Sequence, residues 1–385
     1  MKKILKLENL IYLTVLAIPS YLLKVSLFGL PSNVLEILIG LNVIIWVLFY
    51  AKAVDFKKLF LKYKKYIVSI ALIFFGLSIS VLINRSYAVG LGILKAWFFL
   101  PIIFVFIINS VIAKEKRKNI FSVYFLSAFL VASSSLVYYF FGWISYDLRL
   151  AGIFNSPNYL AMYLSPALFV AYYRIFPEAI KRHGVYILIS SVIIIITIYL
   201  TYSYAAWLSL LLAFGIVLDL EKKLFKKISL ILLLMIGLFF LQQGKSKFLD
   251  LVSLDSRSSF SSRIMIWQSA EKILADNWFW GIGAGNFQTK YLEYQKYFSP
   301  YLEWAVPHPH NLFLTWWLYS GIIGLIGFIL LIFVWFRDIL VGQKKSSLGL
   351  MGLGIMFYFL LHGLFDTTYF KNDLAIIFWL LFSLI

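Results

Sequence analysis

The chain has 385 residues, of which 62% are hydrophobic and 14% are charged, and its mean hydropathy is +0.89. Ordinary soluble domains are about a quarter charged, so this composition argues against a soluble globular protein and indicates a polytopic membrane protein. The absence of cysteine excludes disulfides, a thiolate nucleophile and a zinc–cysteine site, whereas the net charge of +18 raises the question of a nucleic-acid partner.

The N-terminal segment combines three early lysines with an apolar run, a pattern that signal peptides share. A cleaved signal ending near Pro19–Ser20 is one interpretation. However, apolar residues continue to Leu30, and a second apolar run follows almost at once. We therefore expect an uncleaved first membrane span.

Apolar runs long enough to cross a bilayer recur along the whole chain. They fall near 9–30, 34–51, 66–83, 90–112, 120–141, 158–174, 185–201, 204–218, 228–242, 311–336, 348–364 and 373–385. The predicted fold is therefore all-α and polytopic, with about twelve transmembrane helices. The seventh and eighth runs are joined by a very short turn around Ser203.

Charge alternates between successive connecting segments. One set of short connectors is rich in Lys and Arg, as in 52–65 and 114–118, while the other set is nearly uncharged, as in 31–33 and 202–204. Short basic loops stay in the cytoplasm, so both termini are predicted to be cytoplasmic. The positive charge is thus a topology signal, and no nucleic-acid partner is expected.

Three regions follow from this pattern. Residues 1–242 hold the first nine predicted spans, residues 243–310 form one large outer loop, and residues 311–385 hold the last three spans. Most loops in compact domains are far shorter, and a connector of this length is usually functional.

A smaller outer segment, residues 142–158, contains Asp147, Arg149, Asn155 and Asn158. Its Asn-Ser-Pro-Asn sequence is typical of a turn, and Asn158 is a candidate cap for the sixth span.

The large outer loop contains one predicted amphipathic helix. Its apolar residues recur at helical spacing and would share one face: Ile266, Trp267, Ala270, Ile273 and Leu274. Ser261 or Ser262 is the candidate N-cap.

Three glycines follow this helix at positions 281, 283 and 285. A nucleotide-binding glycine loop needs a preceding strand within a βαβ unit, and none is visible here. A tight turn with close backbone approach is the expected structure.

The sequence "HPHN" at 308–311 contains two of the four histidines of the chain. Pro309 favours an extended His308, and Asn311 is a candidate cap for the tenth span. The positive end of that helix dipole would disfavour an imidazolium at His310 and so favour the neutral ring that a general base requires. Two interfacial capping residues, or a metal site with Glu303 as third ligand, are the alternatives.

Cations are scarce on the predicted outer side. They are Arg85, Arg149, Lys245, Lys247, Arg257, Arg263, Lys272, Lys290, Lys296 and Lys371, with Lys95 slightly inside the fourth span. Arg263 falls in the first turn of the amphipathic helix, where a cation is electrostatically unfavourable. Because arginine is suited to bidentate phosphate binding, this placement suggests phosphate recognition, although a solvated loop charge is the plain alternative.

Other enzyme classes lack their signatures in this chain. There is no Asp-X-Asp pair for a metal-dependent nucleotide-sugar transferase, no paired carboxylates for a glycosidase and no P-loop for an ATP-driven pump. A third outer patch, from Asp366 to Asp373, remains without an assigned motif.

Three stretches resemble the O-antigen ligase and O-antigen polymerase family, WaaL-like and Wzy-like. They are "RLAGIFNSPNYLA" (149–161), "SRIMIWQSAEKILADNWFWGIGAGNF" (262–287) and "HNLFLTWWLYSGIIGL" (310–325). About twelve spans with a large outer loop before a late span also match. The sequence departs at "TYSYAAW", where Tyr204 stands in place of a frequent arginine, so one cationic contact to phosphate is missing or supplied elsewhere.

The resemblance implies a GT-C-like membrane glycosyltransferase in the bacterial plasma membrane (the inner membrane), facing outward. Its donor would be a glycan on undecaprenyl diphosphate, and its acceptor either lipid A–core sugar or a second lipid-linked glycan. No metal and no cofactor are expected. A lipid-linked oligosaccharide flippase is the alternative, and a membrane scaffold would explain the topology but none of the motifs.

The resemblance also suggests roles for individual residues. His310 would be the catalytic base, and Arg263 and Arg149 would hold the diphosphate. Asp366 would position the acceptor or orient the histidine. The remaining candidates for substrate binding are His308, Arg257 and Lys95.

Overall fold

The computed structural model describes residues 6–27, 29–178, 182–221, 237, 259–298, 305–342 and 346–385. The predicted ninth span, the cation Arg257 and the alternative metal ligand Glu303 lie outside the described residues.

Helices dominate the described chain. They are α1 (Leu7–Leu16), α2 (Val34–Phe49), α3 (Phe56–Ile83), α4 (Tyr87–Ile93), α5 (Leu100–Val111), α6 (Lys118–Phe140), α7 (Pro157–Glu178), α8 (Arg182–Leu200), α9 (Tyr204–Leu220), α10 (Ser259–Asn277), α11 (Phe287–Tyr294), α12 (Leu312–Gly342), α13 (Ser347–His362) and α14 (Asn372–Leu380). A π-helical turn, Leu94–Phe99, joins α4 to α5, and short 3₁₀ turns are Ile18–Leu22, Ala51–Ala53, Lys114–Lys116, Gln295–Tyr297 and Leu381–Leu384.

Four stretches of the described chain are helical, long and apolar enough to cross a membrane: Phe56–Ile83, Tyr87–Val111, Lys114–Phe140 and Leu312–Gly342. Several shorter apolar helices accompany them. An all-α membrane protein is therefore confirmed, whereas a total of twelve spans stays a prediction.

The prediction of one continuous helix over 9–30 was wrong. Helix α1 ends at Leu16, and the chain then turns through Ile18–Leu22 into an antiparallel hairpin of β1 (Lys24–Leu27) and β2 (Leu30–Asn33). Pro19 explains the break, because proline cannot donate the helical hydrogen bond and its ring clashes with the preceding turn. Gly29, with φ +79°, allows the hairpin to reverse.

Helices α3 and α12 pack at close range through glycine. A Cβ added at Gly76 would lie 2.5 Å from Ser320 O and 2.6 Å from Gly324 N. Gly327 packs in the same way against the α3 backbone at Ile73. Small residues allow membrane helices to approach closely, so this pair forms a rigid wall of the bundle.

Helix α10, which lies in the predicted outer loop, buries four of the five residues of the predicted apolar face. Ile266, Ala270, Ile273 and Leu274 are buried, whereas Trp267 is only partly buried. The predicted capping by Ser261 or Ser262 was wrong, because the helix already begins at Ser259. Arg263 therefore lies one turn inside the helix and not at its first residues.

The glycine turn after α10 docks on a kink in α12, and this confirms the predicted close backbone approach. Ile282 N donates to Leu318 O at 2.7 Å, and Ile322 N donates to Phe279 O at 3.1 Å. Gly321, where α12 kinks, has φ +63°, and Gly281 has φ +71°. Backbone contact at both glycines leaves no room for a side chain, so the turn after α10 is fixed to the helix whose N-terminus follows His310.

Candidate functional site

His310 sits at the N-terminal end of α12, immediately before its cap Asn311. The Asn311 side-chain oxygen accepts hydrogen bonds from Phe313 N at 2.9 Å and Leu314 N at 3.0 Å, so the predicted cap is confirmed. His310 itself has φ +48°, a left-handed conformation that is uncommon for residues other than glycine. Strained backbone of this kind clusters at functional sites.

The His310 ring forms a pair with Asp366, which lies in the turn after α13. Nδ1 is 3.0 Å from Asp366 Oδ1, and the same carboxylate oxygen accepts from Thr367 N at 2.8 Å. The Asp366 side chain is only 2% exposed, whereas His310 is 31% exposed. When Nδ1–H donates to the carboxylate, Nε2 of a neutral ring is a proton acceptor. A partly exposed ring with that tautomer is suited to general-base chemistry.

Asp366 is held as a carboxylate by the groups around it. Burial raises the pKa of its carboxyl, but the interaction with the His310 ring and the charge of Arg263 outweigh burial. The pKa of Asp366 therefore lies well below its ordinary range. The guanidinium Nη2 of Arg263 is 3.7 Å from Asp366 Oδ2, which places the arginine of α10 beside the same carboxylate.

Arg149 joins this group through Asn158. Its guanidinium Nη2 donates to Asn158 Oδ1 at 2.7 Å, and Asn158 Nδ2 donates to Asp366 Oδ2 at 3.1 Å. Arg149 Nε also donates to Thr201 O at 2.6 Å, so the guanidinium is anchored to the end of α8. The sequence therefore brings two arginines, a histidine and a carboxylate together from four separate segments.

The predicted role of Asn158 as a helix cap was wrong. Its side chain connects Arg149 to Asp366, and at the start of α7 the Ser156 hydroxyl instead accepts a hydrogen bond from Asn158 N at 3.3 Å. The sequence showed that Asn158 follows Arg149 closely in a turn-forming stretch. It could not show that Asn158 connects Arg149 to Asp366, because Asp366 is more than two hundred residues away.

His308 has a different partner from His310. Its Nδ1 is 3.0 Å from the Tyr319 hydroxyl, and its ring lies 6.4 Å from that of Trp97. Burial lowers the pKa of His308 to about 4, with a further lowering by His310. His308 is therefore neutral near pH 7 and supports the loop, consistent with a secondary role in the site.

Lys95 does not join the group around Asp366. Its ammonium pairs with Glu36 at 2.8 Å and donates to Pro31 O at 3.2 Å, which ties the π-helical turn to the β-hairpin. The prediction of Lys95 as a substrate contact thus gains no support from its position.

A mostly apolar groove of about 400 Å³ runs between α10 and α12. Asn311, the residue after His310, is part of its lining. It is lined by Trp267, Glu271, Asn311, Phe313, Leu314, Trp317, Leu325 and Ile329. Within the described residues, no three side chains of the His, Cys, Asp and Glu types are grouped so that they could hold a metal ion.

The family model Wzy_C, described as O-antigen ligase, matches residues 189–329, and no curated protein matches the chain. The resemblance to the O-antigen ligase family is thereby confirmed over this region. The matched region includes Arg263, His308 and His310, whereas Arg149 and Asp366 lie outside it.

Proposed function

We propose that this chain, which carries the O-antigen ligase match over residues 189–329, is a glycosyltransferase of the outer face of the bacterial plasma membrane. It moves a glycan from undecaprenyl diphosphate to a sugar hydroxyl, without a metal. The observation that carries this proposal is the His310–Asp366 hydrogen bond, with Arg263 facing the same carboxylate. A base and a fixed cation beside each other suit a reaction with an alcohol nucleophile and an anionic leaving group.

In the proposed reaction, His310 Nε2 takes the proton of the acceptor hydroxyl as its oxygen attacks the anomeric carbon of the donor glycan. The bond between that carbon and the diphosphate oxygen breaks, and its electron pair leaves with the lipid diphosphate. The imidazolium then releases its proton to water. Direct displacement of this kind inverts the anomeric configuration.

Asp366 acts through His310. Its carboxylate accepts the Nδ1 proton, which fixes the tautomer and stabilises the imidazolium formed during attack. A positioned general base contributes about 10²- to 10⁴-fold to the rate, and most of that factor depends on the correct tautomer.

The diphosphate leaves more easily when fixed cations meet its charge. Arg263 shares its partner Asp366 with the base, and Arg149 is linked to the same carboxylate through Asn158. The groove between α10 and α12 begins beside Asn311 and is mostly apolar, so it suits the isoprenoid tail of the donor.

Two acceptors are compatible with this chemistry, lipid A–core sugar for a ligase and a second lipid-linked glycan for a polymerase. The test uses the purified protein in lipid nanodiscs with a radiolabelled glycan on undecaprenyl diphosphate. Each acceptor is offered separately, with a chelator in a parallel sample. We expect a covalent glycan–acceptor product with one acceptor and one released lipid diphosphate for each transfer, unchanged by the chelator.

A flippase gives a different result in a matched experiment. In proteoliposomes, it would move the intact labelled donor across the bilayer, and no glycan–acceptor bond would form with either acceptor. That outcome would contradict the proposed transfer reaction.

A further inference from the structure

Lys371, between α13 and α14, lies in a cage of aromatic rings. Its ammonium nitrogen is 3.4 Å from the centre of the Tyr159 ring and 5.5 Å from the rings of Tyr21 and Phe154. The side chain is half-buried. Aromatic faces stabilise a cation electrostatically, so the cage keeps charge on a lysine that is largely withdrawn from water.

The cage does not satisfy the hydrogen bonds of this ammonium. An ammonium has three N–H donors, and ring faces are poor acceptors. Within the described residues, Lys371 Nζ donates no hydrogen bond and has no carboxylate oxygen within 4.0 Å. A half-buried ammonium whose donors meet no protein acceptor is open to water or to a ligand, and a ligand with anionic oxygens would match both its charge and its donors.

The nearby carboxylate of Asp373 does not serve as the acceptor for the Lys371 ammonium. Asp373 is buried, and the groups that favour its charged form include the Tyr21 hydroxyl and the backbone N–H of Leu374, but within the described part of the chain it forms no ion pair with Lys371. Burial lowers the pKa of Lys371, while Asp373 and then Asp366 raise it. These acids therefore favour the ammonium form from a distance without occupying its donors.

The cage adjoins the site described above. Tyr159 directly follows Asn158, whose side chain donates to Asp366. The charge of Lys371 also acts on His308, the neighbour of the proposed base. Lys371 is thus a third cation at the outer end of the bundle, and unlike Arg149 and Arg263 it has no ion pair within the described residues.

The backbone on both sides of Lys371 is fixed. Its own N–H donates to Tyr369 O at 2.8 Å. The Asn372 side chain accepts from Trp97 Nε1 at 3.1 Å and donates to Glu36 Oε1 at 3.3 Å. The cation is therefore held in place before any ligand arrives, which is the condition for strong electrostatic recognition.

We propose that Lys371 binds the diphosphate of the lipid-linked donor. This inference rests on the proposed function and adds to it a cation that the O-antigen ligase match over 189–329 does not include. The ammonium acts as a point charge toward phosphate oxygens, and the diphosphate supplies the acceptors that the cage lacks.

The test compares Lys371→Met with the parent and with the control Lys290→Met, whose lysine pairs with Glu293 at the outer surface. Each protein, in nanodiscs, is titrated with radiolabelled geranylgeranyl diphosphate and, separately, with geranylgeraniol. Because neither probe carries sugar, any effect concerns the lipid and its diphosphate. We expect Lys371→Met to raise the Kd for the diphosphate about tenfold or more, with the alcohol unchanged, since a charge-assisted hydrogen bond is lost.

Two different failures are distinguishable. If the parent binds the diphosphate no better than the alcohol, the diphosphate donor of the proposed function is wrong, and this inference falls with it. If the parent prefers the diphosphate and Lys371→Met keeps that preference in full, only the role of Lys371 is wrong.

A second measurement avoids any folding defect of the variant. The parent protein is acetylated at trace level with and without geranylgeranyl diphosphate, and each lysine is quantified by mass spectrometry. We expect the diphosphate to slow acetylation of Lys371 and to leave Lys290 unaffected. Equal acetylation of Lys371 in both samples would overturn the proposal.

Discussion

Replacement of Asp366 by asparagine removes one negative charge and changes the shape of the side chain very little. In the parent, the carboxylate accepts from His310 Nδ1 at 3.0 Å, Thr367 N at 2.8 Å and Asn158 Nδ2 at 3.1 Å, with Arg263 at 3.7 Å. An amide presents one acceptor and one donor in place of two acceptors. At least one of these contacts must then be lost or reversed, and the imidazolium at His310 loses its counter-charge.

The size of the effect follows from this geometry. In serine-protease triads, exchange of the corresponding aspartate for asparagine lowers kcat about 10⁴-fold, because the histidine takes the wrong tautomer. His310 is 31% exposed, so water screens part of the interaction. We therefore expect Asp366→Asn to lower the transfer rate about 10³-fold, or about 4 kcal/mol in activation free energy.

Stability falls by a smaller amount. The exchange leaves the charge of Arg263 facing an amide. For a partly buried cation, we expect this to lower the free energy of unfolding by about 1–3 kcal/mol. Tm is therefore recorded for each preparation, and rates are compared at equal concentration of folded protein. Donor binding is measured separately, because Asp366 also lies beside Arg263, the cation proposed for the leaving group.

The assay is single-turnover transfer from the labelled lipid-linked glycan in nanodiscs. Asp276→Asn is the matched control, because that aspartate is 44% exposed and pairs with Lys272 on the outer surface of α10. The control should transfer at the parent rate. Retention of the parent rate within about threefold in folded Asp366→Asn would refute the argument that this carboxylate sets the tautomer of His310.

The remaining predictions concern leaving-group charge, the glycine turn and topology. Arg263→Ala should lower transfer about 10²-fold or more, and Arg263→Lys should restore it only in part; near-parent transfer in the alanine variant would remove this arginine from the site. Gly281→Ala should lower the free energy of unfolding by about 1–3 kcal/mol, because its Cβ would collide with Leu318 O and its φ is positive. The change is measured as a drop in Tm, and an unchanged Tm would contradict the close approach. An impermeant thiol reagent should label Thr289→Cys in intact cells, or in outer-permeabilised cells where an outer membrane is present, but not Ala53→Cys, and the reverse would overturn the predicted orientation.

Local patterns predicted much of the fold. The apolar runs located most of the described helices, Asn311 caps α12 as expected, and the glycines after α10 make the expected close turn. Each of these features depends on residues near one another in the chain, so side-chain chemistry and spacing suffice to predict it. The run over 9–30 shows the limit, since Pro19 was counted as part of an apolar span although it ends the helix.

The site itself was predictable only as a set of residue types. His310 and Asp366 are 56 positions apart, and no local pattern indicates that Asn158 lies between Arg149 and that carboxylate. Such contacts depend on how whole helices pack. Lys371 was visible only as one predicted outer cation among several, because its cage rings, Tyr21, Phe154 and Tyr159, lie more than two hundred residues before it in the chain.

The choice of pH for activity measurements follows from two shifted groups. The folded pKa of Asp366 is depressed, so its contribution to stability is present above the ordinary aspartate value of 3.8 and is lost only as pH falls through the still lower folded pKa. His308 has its pKa lowered from 6.5 to about 4, so the folded state loses stability as pH falls from 6.5 toward 4. At about pH 8 neither group titrates, so a change in rate there does not come from protonation of Asp366 or His308.

The most direct measurement is the rate of glycan transfer by His310→Ala at about pH 8, at matched folded concentration and with a chelator present. His308→Ala is measured beside it as the neighbouring histidine whose partner is Tyr319. If His310 is the general base, its loss lowers transfer about 10²- to 10⁴-fold while the donor still binds, and His308→Ala loses much less. Transfer by His310→Ala at near the parent rate, or abolition of the parent's activity by the chelator, would contradict the account.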